Sequence, residues 1–210
     1  MQIDKPKLPN NLPEKRMHDI FFEEEPELEN CQVLQADFEN ELVDRLRLSK
    51  VVIRNSRFNH TDFTGMDLLD VRFENCDFSN VKMSKSSIHR VEFHGCKLLG
   101  ADLTESSLGN VSFTDSLVNL VSFGQSKLEK VIFSSCGLQG ADFYACRMKK
   151  LEFAACDLNE ANFEQTSLKG IDLSTSSFQQ LTFSIENLKG CIVSPNQAIQ
   201  FASLIGLVIK

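Results

Sequence analysis

Tryptophan is absent from the 210 residues and tyrosine occurs once, yet there are 17 phenylalanines. Indole and phenol rings carry a polar group that needs a partner when buried, so this imbalance calls for wholly apolar plugs in the core. No run approaches the eighteen apolar residues of a membrane-spanning helix, and the opening MQIDKPKLPN has neither an apolar segment nor a small-residue cleavage site. A cytoplasmic protein without membrane contact is expected. Also missing are a CxxC pair, a cysteine–histidine cluster with zinc spacing and a glycine-rich phosphate loop, while His18, His60, His89 and His94 sit in no nucleophile or metal motif. Enzymatic activity, metals and cofactors are therefore not expected. Seven cysteines make an odd count, which argues for free thiols in a reducing compartment rather than a disulfide framework. Basic residues are the minority, 22 against 29 acidic, for a formal charge of −7, and this disfavours direct capture of nucleic acid by a generally basic surface.

A five-residue repeat dominates what is there. From Cys31 the chain divides without a slip into blocks CQVLQ, ADFEN, ELVDR and onward to CIVSP, and all 33 blocks from 31 to 195 carry an apolar residue at the third position. Fourteen of the 17 phenylalanines occupy it. The first position holds Ala, Cys, Ser, Thr or Val in 26 of the 33 blocks, the exceptions being Glu41, Leu46, Met66, Leu151, Ile171, Leu181 and Glu186. In extended backbone, residues two apart face the same way, so each block is one short side of a coil with a filler and a plug inside. The fourth and fifth residues turn the corner.

Columns taken every twenty residues sort by chemistry. One reads Leu48, Leu68, Ile88, Leu108, Leu128, Met148, Leu168 and Leu188; another reads Ile53, Phe73, Phe93, Phe113, Phe133, Phe153 and Leu173. Fillers before the second column are Val51, Val71, Val91, Val111, Val131, Leu151 and Ile171, whereas those of the opposite side are Ser56, Cys76, Cys96, Ser116, Cys136, Cys156 and Ser176. A twenty-residue turn with four sides explains the sorting, and a period of fifteen would mix it. The fold expected is all-β, a four-sided β-helix of about eight coils. All seven cysteines are fillers, acting as compact hydrophobes.

The ends differ. Residues 1–30 do not repeat; Pro6, Pro9 and Pro13 and the acidic run Glu23, Glu24, Glu25, Glu27, Glu29 suggest an extended arm that caps the first coil. Blocks ELVDR and LRLSK, with Glu41 and Leu46 as fillers, suggest an irregular first turn. After a β-helix over 31–193, residues 194–210 form a capping unit: Ser194, Pro195 and Gln197 make a capping box, a helix follows, Gly206 stops it, and Leu207–Ile209 reads as a short strand. The apolar residues of this unit, Ile199, Phe201, Ala202, Leu204, Ile205, Leu207 and Ile209, are the expected dimer interface, since an open solenoid end needs a cover and a self-complementary one closes as a two-fold pair.

ADLTE at 101, ADFYA at 141 and ANFEQ at 161 resemble the pentapeptide repeat family, a right-handed quadrilateral β-helix, over 31–193. LPNNLPE near the start, ENCDFSNV at 74, SSIHRVEFHGC at 87, ACDLNEANF at 155 and the tail LKGCIVSPNQAIQFASLIGLVIK are similar to Qnr-like quinolone-resistance proteins of Gram-positive bacteria. That resemblance implies a dimeric rod that mimics DNA, binds DNA gyrase and, as a further partner, topoisomerase IV, and protects them from quinolones. Plasmid Qnr proteins carry loops that interrupt the coil; no phase break occurs here. The outward-facing Leu117 and Leu120 are a candidate apolar contact.

Net charge misdescribes the rod. Residues 1–44 hold 12 acidic and 4 basic residues, leaving 17 against 18 for the remainder. The leucine-column side carries ten basic residues (Arg47, Lys50, Arg90, Lys127, Lys130, Arg147, Lys149, Lys150, Lys169, Lys189) and four acidic ones, while the other three sides between 51 and 185 carry six basic and 13 acidic. The implied topoisomerase contacts are the outward acids toward the C-terminal end: Asp102, Glu105, Asp142, Glu152, Asp157, Glu160, Glu164 and Asp172. The alternative is an interaction scaffold with another basic partner, or nucleic-acid contact along the Arg47 to Lys189 stripe.

Overall fold

A computed structural model describes residues 1–22 and 24–209, so that Glu23 lies outside the described residues. The core is a four-sided parallel solenoid. Two adjacent sides of each coil merge into one long strand: β3 (Arg47–Arg54), β4 (Asp67–Glu74), β5 (Ser87–His94), β6 (Ser107–Thr114), β7 (Lys127–Ser134) and β8 (Arg147–Ala154), after the short β1 (Glu27–Glu29) and β2 (Gln32–Leu34). Every pairing among β3 to β8 is parallel with a register of twenty, as in Leu48↔Leu68, Phe93↔Phe113 and Phe133↔Phe153. The ladder begins one side before the repeat is visible, because Leu28 of β1 pairs with Leu48. We call the sides the leucine face (46–50 and its equivalents), the phenylalanine face (51–55), the third face (56–60) and the fourth face (61–65). The third and fourth faces are held by single bridges such as Arg57↔Asp77 and Asp62↔Lys82.

The plugs stack along the axis. Successive rings of the phenylalanine face lie 5.0, 4.8, 4.9 and 5.4 Å apart from Phe73 to Phe153, within 15° of parallel. The ring spacing thus reports the coil rise, close to the strand separation of about 4.8 Å. Valine fills the strand corner, where no donor is needed. At the third-face corner the fillers donate: Cys96, Ser116, Cys136, Cys156 and Ser176 reach the carbonyls of Phe73, Phe93, Phe113, Phe133 and Phe153 in the preceding coil. Serine and cysteine are therefore interchangeable weak donors here, and all seven cysteines are free.

Each corner has one conformation. The fifth residue of every block from Asn30 to Gly170 lies in the left-handed region, φ between 49° and 77°, including Arg45, Leu120, Ala145 and Glu160. Thr175, Gln180 and Ile185 do not adopt it. The irregularity expected in the first turn is thus found in the last: Leu46 is fully buried and Arg45 and Lys50 take the regular corner, while the final coil closes through a 3-10 turn over Ile185–Leu188 and the two-residue pairing of β9 (Ala161–Asn162) with β10 (Leu181–Thr182). Helix α1 (Pro195–Leu204) has the full capping box between Ser194 and Gln197. Leu207, Val208 and Ile209, expected as a short strand, stay outside any ladder.

Candidate functional site

Outward residues separate into those spent on the coil and those left over. Aspartate or asparagine at the second block position closes its own side: Asp62, Asp77, Asp102, Asp142, Asp157, Asn162 and Asp172 each accept the backbone N–H two residues on, at 2.8–3.1 Å. This local bond is the physical reason for the AD(L/F) consensus. It also holds the Asp62 carboxyl below its usual range through the Thr64 hydroxyl, and Asp172 likewise through Ser174. Asp102, Asp142 and Asp172 are therefore turn-formers first, with one oxygen left for a partner, whereas the second oxygen of Asp157 accepts the Gln139 side-chain amide.

In the N-terminal half, charges of opposite sign stand over one another. Arg57 meets Asp37 at 2.7 Å, Lys82 meets Asp62 at 3.4 Å, Lys97 meets Asp77 at 3.4 Å, and Arg54, Glu74, Arg72 and Glu92 form a zigzag at 2.6–3.9 Å. From 51 to 97 the three faces other than the leucine face hold six basic and four acidic residues. From 98 to 185 the same faces hold nine acidic residues and no lysine or arginine. Those 88 residues are about 4.4 coils, or about 21 Å, so carboxylates recur every ~2.4 Å of axis, against one phosphate per ~1.7 Å in duplex DNA.

The predicted acids do not form one patch. Asp102, Glu105, Asp142 and Glu164 line the fourth face, Asp157 and Glu160 the third, and Glu152 and Asp172 the phenylalanine face. Four carry further bonds: Glu152 receives the Met1 ammonium at 2.6 Å, Glu164 accepts the Ser184 hydroxyl, Asp142 accepts the Asn162 amide N–H at 2.8 Å and Asp157 accepts the Gln139 amide N–H. Asp115, not among the predicted contacts, adds a ninth carboxylate on the same half. Leu117 and Leu120 are 53% and 62% exposed on the third face, with Leu99 beside them. Gly137 and Gly140 flank them; a Cβ at Gly140 would lie 2.7 Å from Leu120 and one at Gly137 2.6 Å from Asn119, so glycine there keeps the patch flat.

At the C-terminal end the interface residues divide. Phe201 is 9% exposed and packs on Phe178 and Phe183 at 5.2 and 5.3 Å, so it belongs to the chain's own core and is not available to a second copy. Gln197, one helical turn earlier, is buried and donates to the carbonyls of Leu173 and Ser176 at 2.8 Å, bolting α1 across the last coil. This places Ile199, Leu204, Ile205, Leu207 and Ile209 outward, 40–58% exposed, with Ala202 half-buried. Of these, Ala202 and Ile205 line a mostly apolar groove of about 570 Å³ together with Ile185, Leu188, Val193, Ala198 and Phe201.

Comparison with known families matches a pentapeptide repeat region over 86–163 and pentapeptide repeats over 47–84 and 156–193. The chain belongs to the pentapeptide repeat family. Among solved pentapeptide repeat structures, a trypsin-treated variant of QnrB1, a plasmid-mediated fluoroquinolone resistance protein, shares the fold at TM-score 0.50 and 20% identity, covering 85% of this chain and all of that one. HetL, a pentapeptide repeat protein involved in heterocyst differentiation regulation in the cyanobacterium Nostoc, aligns at TM-score 0.33 and 13% identity over 84% of this chain and 94% of its own. Curated proteins give no sequence match. No helix among the described residues is long and apolar enough to cross a membrane, and no metal-binding group occurs among them.

One element lies outside the repeat pattern. Besides capping the first coil, where the 3-10 turn Met17–Phe22 buries Met17 and Ile20 and sets Phe21 over Phe38 at 5.7 Å, the N-terminal arm runs along the rod. Its contacts step regularly: Asp4 N–H donates to Asn110 at 3.0 Å and Lys7 N–H to Asp70 at 2.9 Å. Three residues of extended or polyproline-like chain span about 9–10 Å, the same as two coils. The arm is thus commensurate with the solenoid, at the corner between the leucine and phenylalanine faces.

Proposed function

We propose that this pentapeptide repeat protein is a cytoplasmic, non-enzymatic homodimer that binds DNA gyrase, and topoisomerase IV as a second partner, in the manner of a DNA duplex and shields it from quinolones. The observation that carries the reading is the C-terminal half of the rod, with three faces bearing carboxylates at nearly the linear density of DNA phosphate and no lysine or arginine among them. Its charge and shape complement a basic DNA-gate saddle, where complementary potential raises the rate of encounter. The similarity of the arm and tail segments to Qnr-like proteins supports the same partner. Tail-to-tail pairing through Ile199, Ala202, Leu204, Ile205, Leu207 and Ile209 would continue the acidic half of one copy into that of the other. The coil is unbroken, so contact falls on its flat faces, with Leu117 and Leu120 as the apolar element.

Supercoiling by purified gyrase, titrated with this protein with and without a quinolone, tests the proposal. Recovery of supercoiling in drug is expected; no effect at micromolar excess in either condition overturns it and leaves a scaffold for a different partner.

A further inference from the structure

The leucine face turns basic where the other three turn acidic. Lys127 and Lys130 project from β7, Arg147, Lys149 and Lys150 from β8, and Lys169 from the next coil. Elsewhere on the rod an outward cation stands over an anion, as Arg90 over Asp70 or Lys97 over Asp77. Here cations stack on cations. Lys127 is in direct register with Arg147, Lys130 precedes Lys150 by one coil, and Lys149 precedes Lys169. Like charges directly opposite in a sheet are destabilising, so these columns oppose folding and need a reason outside it. Two of the cations have an anionic contact, Lys149 with Glu129 at 2.7 Å and Lys130 with Asp4 at 3.4 Å; Lys127, Arg147, Lys150 and Lys169 have none among the described residues.

Shape supports a site. The strand ladder ends at β8, and below it a groove of about 630 Å³ is lined by Lys127, Arg147, Lys149 and Lys169 with Leu128 and Met148, and by one carboxylate, Glu129, which is paired with Lys149. We infer that this basic plate is a binding site for the phosphate backbone of duplex nucleic acid. A protein partner would need apolar or aromatic anchors at the centre of the contact; among the described residues the plate itself offers only the half-buried Met148, and Leu69, exposed on the same face, lies three coils away. A phosphate backbone needs only cations, here about 5 Å apart along the rod and about 6.7 Å apart along a strand. The overall charge of −7 does not forbid it: 12 of the 29 acidic residues lie in residues 1–44, Glu152 on the adjoining phenylalanine face is held by the Met1 ammonium, and the third face, with Asp157 and Glu160, lies across the rod. The inference is independent of gyrase and is tested in its absence.

The experiment is fluorescence anisotropy of a labelled 30-base-pair duplex titrated with the full chain at 50–200 mM salt. With four free cations meeting phosphates, the log–log salt slope is expected near about −3.6, which is roughly a 150-fold loss of affinity across that range. The triple variant K127Q/R147Q/K169Q, and the single variant Lys169→Gln on a coil outside the ladder as a check on folding, should lower affinity in proportion to the cations removed. Glu105→Gln on the fourth face should not. Absence of binding at 50 mM salt overturns the proposal, as does binding that the triple variant retains. Polyglutamate competing as well as unlabelled duplex of equal charge also overturns it, in favour of an acidic polypeptide.

Discussion

Asp70 and Arg90, one coil apart on the leucine face, are joined by two hydrogen bonds of 2.6 and 2.7 Å, and Asp70 also accepts the backbone N–H of Lys7 from the arm. The Asp70 side chain is 4% exposed and that of Arg90 18%. The Arg90 guanidinium, with the Lys7 N–H, holds the Asp70 carboxyl below the usual range despite burial. A depressed carboxyl contributes stability that is complete above the unfolded value near 4 and is lost as pH falls through the folded one. Asp70→Asn keeps the shape but leaves Arg90 unpaired, and should cost about 2–4 kcal/mol at pH 7. Chemical denaturation from pH 7 down to 2 should show the variant gap closing below pH 4; a gap independent of pH would contradict the ion-pair account.

The commensurate arm predicts a phase effect. Inserting one glycine between Lys5 and Pro6 shifts Asp4 by about 3 Å relative to Asn110 while Lys7 keeps its bond to Asp70, so one of the two anchors must fail. A loss of about 1 kcal/mol is expected, with faster hydrogen exchange at the Asp4 amide and unchanged exchange in β3 to β8. Inserting three residues should restore Asn110 or a neighbouring rung as acceptor. Equal exchange in both insertions would mean that the arm is not registered to the coil.

Left-handed corners carry a cost that glycine removes. Ala145 and Ala155 sit at φ 52° and 53°. Left-handed backbone disfavours L-residues by about 1–2 kcal/mol, partly offset by the extra chain entropy of glycine when unfolded. Ala155→Gly should therefore be neutral or stabilising by up to about 1 kcal/mol, and Ala155→Val destabilising by more than that, measured as the denaturant midpoint. Valine tolerated at this corner would refute the assignment.

Thiol burial sets the alkaline limit. Burial pushes Cys146 up to about 12, and burial with Asp172 nearby pushes Cys191 to about 11. A thiol raised in the folded state contributes stability that is complete below the unfolded value near 8.5–9 and is lost as pH rises through the folded value. Stability should therefore fall between pH 9 and 11, with no native thiol labelled by iodoacetamide at pH 7 and the half-exposed Cys191 labelled first as pH rises. Cys136→Ser should change stability by less than about 1 kcal/mol, because Ser116 and Ser176 already fill that column.

The plugs, fillers and four-sided period are legible in the sequence because each is a side-chain choice repeated every five or twenty residues. Corners are less legible: the left-handed fifth residue is glycine at 65, 95, 100, 140 and 170, yet it is also Arg45, Leu120 and Glu160, since the coil imposes the conformation on whatever stands there. The arm's course was hidden because Asp4 and Lys7 donate through backbone N–H groups that every residue but proline possesses. Phe201 was misread for a related reason. The face of α1 that turns inward is marked by Gln197 and Phe201, four apart, and a buried glutamine that bonds two carbonyls does not register as apolar periodicity. Of the proposed acidic contacts, the consensus aspartates are legible as outward residues, whereas their turn bonds and the gap in basic residues beyond 97 on three faces emerge only when the four faces are separated.

Ile205 and Leu207 carry the last prediction, on assembly. Both project at the C-terminal end of the rod, 43% and 58% exposed, beyond Gln197 and Phe201, which hold α1 to the coil. A charge at either outward position leaves the bolt intact and faces the apolar groove of any second copy. Ile205→Glu and Leu207→Glu should each weaken self-association by well over ten-fold, more than about 1.4 kcal/mol, because an unpaired carboxylate in an apolar interface costs several kcal/mol. Thermal stability of the separated chain should be nearly unchanged. Phe201→Ala should do the reverse, costing about 3–5 kcal/mol of folding stability through the cavity it opens against Phe178 and Phe183. Light scattering after size exclusion, read beside melting curves, separates the two effects; a wild-type chain that elutes as a monomer at 100 µM removes the tail-to-tail dimer from the proposed function.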